Sequence, residues 1–163
     1  MVTMVGNESS IEKLVTNLIY LERDAIAAYE STIERLDDKT LSSQVESFRQ
    51  DHLQHLDVLN EMARELAIDA PTEGDMKQML TTGKIAMADM MGDGAILKAM
   101  KTNEDDTVTA YERASQHQEA NAEVEGVLRE GAGRRAAPPR LDAGDGKPAL
   151  SRPRTSNRLQ KQP

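Results

Sequence analysis

The chain has 163 residues, which is about the length of one domain. It contains no cysteine, so disulfides, thiolate metal sites and a cysteine nucleophile are excluded, and its 2% aromatic content disfavours a strand-rich core. It also lacks an apolar run of about 18 residues and a visible signal peptide, so we expect a soluble, cytoplasmic protein that does not span a membrane.

The net charge of −8 is unevenly distributed along the chain. Residues 132–163 hold eight basic and two acidic residues, a charge of +6, which leaves −14 on residues 1–131. The acidic part should attract cations and repel nucleic acid. The basic part holds five of the six prolines and shows no apolar periodicity, so it is predicted to be a disordered tail. It has no interleaved aromatic residues, so nucleic acid is not an expected partner.

Two long amphipathic helices are predicted after a disordered N-terminus of residues 1–8. Ser9 and Glu12 have capping-box spacing, and the apolar steps of three and four that follow predict a helix ending near Asp37. The next helix has an unbroken series of inward positions in alternating steps of four and three: Leu41, Val45, Phe48, His52, His55, Leu59, Met62 and Leu66. The link between these helices is short, so they should be antiparallel neighbours.

The pattern breaks over residues 67–94, where a short Met-rich helix is predicted for residues 75–91. Its methionines are interpreted as filling an irregular interior rather than as soft metal ligands. A third long helix is predicted over residues 95–116 and a fourth from about Gln118. The predicted helical domain therefore covers residues 9–131.

An internal repeat links the first and third helices. The segments that begin at Glu22 and at Glu104 share the pattern E-x-D-x-[IV]-x-A-Y-E at an offset of 82 residues. Both glutamates fall in the inward series, so a pseudo-twofold relation between the helix pairs would place them opposite each other. A carboxylate in an apolar seam is costly unless it is paired or bound to a cation, and two facing carboxylates repel. The repeat therefore favours a metal ion between them.

The repeat also predicts the surroundings of these glutamates. Tyr29 and Tyr111 are inward, and each hydroxyl is expected to reach a carboxylate. The other acidic residues of the repeat are expected to face solvent or a neighbouring helix: Asp24, Glu30, Asp106 and Glu112.

The second helix supplies two imidazoles. His52 and His55 are three residues apart in the seam, so their side chains share one face of the helix. Neutral imidazole binds iron, manganese or zinc, and Asp51 could orient one ring by accepting its second N–H. The predicted metal ligands are therefore Glu22, His52, His55 and Glu104. The alternative is that these are ordinary polar residues near the middle of a bundle, satisfied by each other or by water.

This arrangement resembles the ferritin-like, rubrerythrin-like di-iron carboxylate proteins, and in particular small bacterial ferritin-like proteins. The resemblance implies an all-α, up-down four-helix bundle with a long crossover between helices two and three. Glu22 and Glu104 match the single glutamates of that family, and His52-Leu-Gln-His55 matches its Glu-x-x-His motif with histidine in the glutamate position. The resemblance implies an iron cofactor, di-iron in the family, with zinc or manganese as alternatives.

The sequence departs from this family at two places. Histidine in the glutamate position removes a bridging carboxylate, and the fourth helix has no Glu-x-x-His motif. The amino-acid composition of residues 132–146 is typical of GC-rich DNA that is translated out of frame. A one-nucleotide shift of the usual codons for these residues permits Glu and His at positions 135 and 138. The tail, residues 132–163, is therefore interpreted as frameshifted, with a natural disordered tail as the alternative. The shortened fourth helix favours a homo-oligomer such as a dimer.

The leading functional hypothesis is a metal-binding protein whose intact relatives oxidise iron with oxygen or peroxide, as stress-related oxidoreductases. The alternative is a non-catalytic helical bundle without a bound metal, used for stress-related assembly or partner binding. An oxygenase acting on an organic substrate is disfavoured, because a body of about 120 residues leaves little room for a substrate pocket. The sequence assigns no catalytic residue.

Overall fold

The computed structural model describes residues 4–74 and 92–118, which form three long α-helices. Helix α1 spans Ile11–Arg35, α2 spans Lys39–Glu65 and α3 spans Asp93–Ala114. These residues contain no strand, so the predicted all-α fold is confirmed for this part of the chain. The predicted Met-rich helix, the fourth helix and the basic tail lie outside it. None of the three helices is long and apolar enough to cross a membrane.

Side-chain caps fix where the first two helices begin. Ser10, rather than the predicted Ser9, caps α1, and its hydroxyl accepts a hydrogen bond from the backbone N–H of Lys13 at 3.4 Å. The pKa of Glu12 is lowered because its own backbone N–H, and then the Ser10 hydroxyl, hydrogen-bond to its carboxylate. Asp38 caps α2 by accepting from two backbone N–H groups at 2.7 and 3.2 Å. Each cap stabilises its helix by about 1 kcal/mol.

Both α2 and α3 run antiparallel to α1. Ser42 near the start of α2 donates to the carbonyl of Ile33 near the end of α1, and Arg49 forms an ion pair with Glu30 at 2.8 Å. At the start of α3, Asp93 accepts from two backbone N–H groups of the α1–α2 link at 3.1 and 3.0 Å. Helices α2 and α3 therefore begin at the same end of the bundle.

Two apolar clusters leave a polar layer between them. One cluster includes Leu14, Leu18, Leu56, Leu59 and Ala110, and the other includes Leu36, Val45, Ile96, Leu97 and Met100. Burying a leucine or isoleucine contributes about 1.5–3 kcal/mol, so both sides of the layer are held by apolar packing. The gap between the clusters contains Glu22 on α1, His52 on α2 and Glu104 on α3.

Val5 and Gly6, which precede α1 and lie in the predicted N-terminal segment 1–8, pack on the bundle. Val5 is buried in the first apolar cluster. Gly6 has a φ of 100°, and it approaches α3 so closely that a Cβ there would collide with Arg113 and with the carbonyl of Ala110. Glycine is the residue that permits both the backbone conformation and the contact.

Asp24 is buried, which the sequence did not predict. Its side chain lies against Gly74, where an added Cβ would collide with the carboxylate. The neighbouring Arg23 holds this segment on α1 by donating from Nε to the carbonyl oxygen of Pro71 at 2.8 Å. The alternative in which Asp24 faces solvent is wrong, because helical periodicity does not reveal that a later loop covers this side of α1.

Candidate functional site

His52 joins carboxylates from two other helices. Its Nδ1 lies 2.7 Å from Oε2 of Glu22, and its Nε2 lies 2.9 Å from Oε1 of Glu104. Glu22 is fully buried and His52 is 2% exposed, whereas the side chain of Glu104 is 21% exposed. The structure therefore brings three of the four predicted metal ligands together in the polar layer.

The tyrosine of each repeat forms a hydrogen bond with the glutamate of the other repeat. Tyr29 of α1 donates to Oε1 of Glu104 on α3 at 2.5 Å, and Tyr111 of α3 donates to Oε1 of Glu22 on α1. Each tyrosine follows its own glutamate by seven residues, or two helical turns, and reaches the opposite helix because the two helices are antiparallel. This exchange matches the pseudo-twofold relation that the repeat predicts, and it gives a continuous chain of hydrogen bonds across the bundle.

The hydrogen bonds restrict how protons can be arranged in the network. An ionised carboxylate only accepts hydrogen bonds, so both ring nitrogens of His52 donate when Glu22 and Glu104 are ionised. Imidazolium is the form of histidine with two N–H donors. With both carboxylates ionised, the network would hold one positive charge between them, in a layer with little solvent, where charge interactions are strong. With a neutral ring, one of the two carboxyl groups would carry the proton instead.

His55 lies at the edge of this network. Its Nδ1 is 3.9 Å from Oε1 of Glu22, its side chain is 11% exposed, and its ring centroid is 6.3 Å from that of His52. Asp51 is half-buried, and no hydrogen bond joins it to either imidazole in the described part of the chain. Glu22 and Glu104 contact the two ring nitrogens of His52, and the orienting role of Asp51 stays a prediction.

The ligand atoms contact each other rather than surrounding a common point. Across residues 4–74 and 92–118, no group of three or more His, Asp or Glu side chains has the spacing of a metal-binding cluster. Any cation bound here would have to displace the proton that His52 shares with one of its carboxylates.

We expect the substitution Tyr111→Phe to lower the free energy of unfolding by about 1.5–3 kcal/mol, the usual worth of a hydrogen bond to a charged group. Tyr29→Phe should have a smaller effect, because its acceptor Glu104 retains contact with solvent. Urea unfolding of both variants measures the difference. Equal losses of unfolding free energy in the two variants would show that the burial of the acceptor carboxylate does not determine the strength of the tyrosine hydrogen bonds.

These features define an all-α protein with a buried carboxylate–imidazole cluster at the middle of its helices. The chain belongs to the family described as Domain of unknown function (DUF2383), whose sequence profile matches residues 10–117. That range contains every residue of the hydrogen-bonded network. No protein with a curated description matches the chain.

The chain is also similar to a solved structure, the crystal structure of a conserved hypothetical protein, rv2844, from Mycobacterium tuberculosis. The TM-score is 0.65 at 16% sequence identity, and the match covers 80% of this chain and 92% of that one. At this identity the likeness shows a shared fold and nothing about function.

Proposed function

We propose that the protein is a ferritin-like metal-binding protein that holds a divalent cation, iron in the first place, among Glu22, His52, Glu104 and His55. The observation that carries this proposal is the bridge, in which two carboxylates from different helices meet at one buried imidazole. Two carboxylates that favour a positive charge between them are electrostatically suited to a metal ion.

The chemistry of the donor set fits such an ion. Carboxylate oxygens and imidazole nitrogens together suit iron, manganese and zinc, and the absence of cysteine excludes a thiolate site. Histidine binds a metal through a neutral ring nitrogen, so binding should release a proton. With histidine in place of a bridging carboxylate, we expect one ion per chain rather than two.

The residues around the donors have supporting roles in this proposal. Tyr29 and Tyr111 hold the two carboxylates in position, and the apolar clusters on either side limit the access of water. Bound iron would supply redox chemistry with oxygen or peroxide, which is the activity that the ferritin-like resemblance implies.

Equilibrium dialysis of the chelator-stripped full chain against Zn(II), Mn(II) and anaerobic Fe(II), followed by elemental analysis, tests the proposal. We expect about one ion per chain for at least one metal, because the donor set accommodates all three. Glu104→Gln should weaken binding by roughly 10–100-fold, as the loss of a supporting group at a metal site already does. Glu112→Gln is the matched control, since it makes the same change on the exposed face of α3.

A second candidate function is a non-catalytic helical bundle used for assembly or partner binding. It is favoured by the hydrogen bonds of His52, which satisfy both ring nitrogens without a metal. Substoichiometric uptake of all three metals, with a melting temperature that Fe(II) does not change, would support this second function. Oxygen consumption on addition of Fe(II) would instead support iron oxidation.

A further inference from the structure

The two glutamates of the repeat differ in their access to solvent. Glu22 is 0% exposed and His52 is 2% exposed, whereas 21% of the Glu104 side chain is exposed. The two glutamates are equivalent in the sequence repeat, and each contacts His52 and accepts from the tyrosine of the other repeat. The difference in exposure therefore breaks this equivalence, and it gives the site an outer and an inner carboxylate.

We propose that Glu104 is the first ligand that a divalent cation meets, and that the cation then passes to the inner pair Glu22 and His52. This inference rests on the proposed metal-binding function. A hydrated cation has to exchange its water for protein oxygens, and an inner carboxylate with no solvent contact cannot start that exchange. Glu104 contacts water on one side and bonds to Nε2 of His52 at 2.9 Å on the other, so it connects solvent with the interior.

The charges near Glu104 are compatible with this role. Residues 1–131 carry a net charge of −14, which favours the approach of cations. Lys101 lies one helical turn before Glu104, but its ammonium is bound to both oxygens of Asp105 at 2.9 and 2.8 Å. Its positive charge is thereby offset beside the outer carboxylate.

Carboxylate labelling tests the difference in access without any metal. The full chain is treated with a water-soluble carbodiimide and glycine ethyl ester, and the peptides are quantified by mass spectrometry over time. We expect Glu104 to be labelled at least several-fold faster than Glu22, with Glu112 as the exposed reference. Labelling of Glu22 at the rate of Glu104 would overturn the proposal.

Stopped-flow uptake of Zn(II), monitored with a competing chelating dye, tests the order of contact. Glu104→Gln should slow association several-fold, whereas Glu22→Gln should mainly speed dissociation, and Glu112→Gln should change neither rate. Equal slowing of association by Glu104→Gln and Glu22→Gln would overturn the order of contact alone. Absence of zinc, manganese and iron uptake by the unsubstituted chain would overturn the proposed function and this inference with it.

Circular dichroism and melting of each variant show whether it folds. If Glu22→Gln does not fold, comparing the association rates of Zn(II) with Glu104→Gln and with Glu112→Gln still tests whether Glu104 is the first ligand. An association rate for Glu104→Gln equal to that of Glu112→Gln would then overturn the proposal.

Discussion

Replacing Glu22 with alanine is expected to lower the free energy of unfolding by about 3–5 kcal/mol, the usual result of removing one partner of a buried ion pair. Glu22 is fully buried, its carboxylate accepts from Tyr111, and it lies 2.7 Å from His52. Without it, a hydroxyl and an imidazole N–H stay buried in the polar layer between the two apolar clusters and lose their acceptor. A domain of this size has a stability of about 5–15 kcal/mol, so urea unfolding can measure the loss.

The matched control is Glu112→Ala, which removes a carboxylate from the exposed face of α3. It should change stability by no more than about 0.5 kcal/mol. Glu22→Gln keeps the side-chain volume and one acceptor oxygen, so it provides a measurement even where the alanine variant does not fold. A loss below about 1 kcal/mol in both Glu22 variants would contradict the role given to the network.

Replacing His52 with leucine is expected to lower the free energy of unfolding by a similar amount, about 3–5 kcal/mol, because two buried carboxyl groups would then lose the imidazole that lies between them. Combining His52→Leu with Glu22→Leu should recover part of this loss, since apolar residues often replace a buried ion pair with little change in stability. The double-mutant cycle should give a coupling energy of about 1–3 kcal/mol.

Urea unfolding of the four proteins in the cycle supplies this coupling energy. The cycle needs both single variants to be folded, which near-UV circular dichroism of Tyr29 and Tyr111 reports. Strictly additive losses of stability would mean that Glu22 and His52 stabilise the fold independently. That result would contradict the interaction that we infer from the 2.7 Å contact between them.

Much of the site could be predicted from the sequence, because its residues obey helical periodicity. The alternating steps of four and three placed His52 on the inward face of α2, and the repeat placed Glu22 and Glu104 at matching positions on two helices. The inward tyrosines were likewise expected to reach a carboxylate, as they do. Periodicity determines which face of a helix is buried, and these contacts depend only on that face.

The features that the sequence did not reveal concern residues whose surroundings periodicity does not determine. Asp24 is covered by the segment around Gly74, and Val5 enters the core from outside any helix. Asp51 adjoins His52 in sequence, but neighbours along a helix point in directions about 100° apart, and carboxylates from the other helices contact both ring nitrogens of His52. The 21% exposure of Glu104 likewise follows from packing rather than from the repeat.

The frameshift hypothesis for the tail remains a prediction, because residues 119–163 lie outside the described part of the chain. Resequencing of the gene tests the hypothesis directly. The hypothesis is contradicted if no single-base change in the gene restores a Glu-x-x-His motif at positions 135–138. If the frame is restored, with Glu and His at positions 135 and 138, the chain should bind more metal than the present one, because it gains a second pair of ligands.

Anomalous X-ray scattering from crystals of the full chain grown with Zn(II) tests the central claim most directly. We predict an anomalous peak about 2.0–2.2 Å from donor atoms of Glu22, His52 and Glu104. Zinc bound only at the surface, or no zinc at all, with His52 still hydrogen-bonded to both carboxylates, would contradict the claim that a cation belongs in this layer.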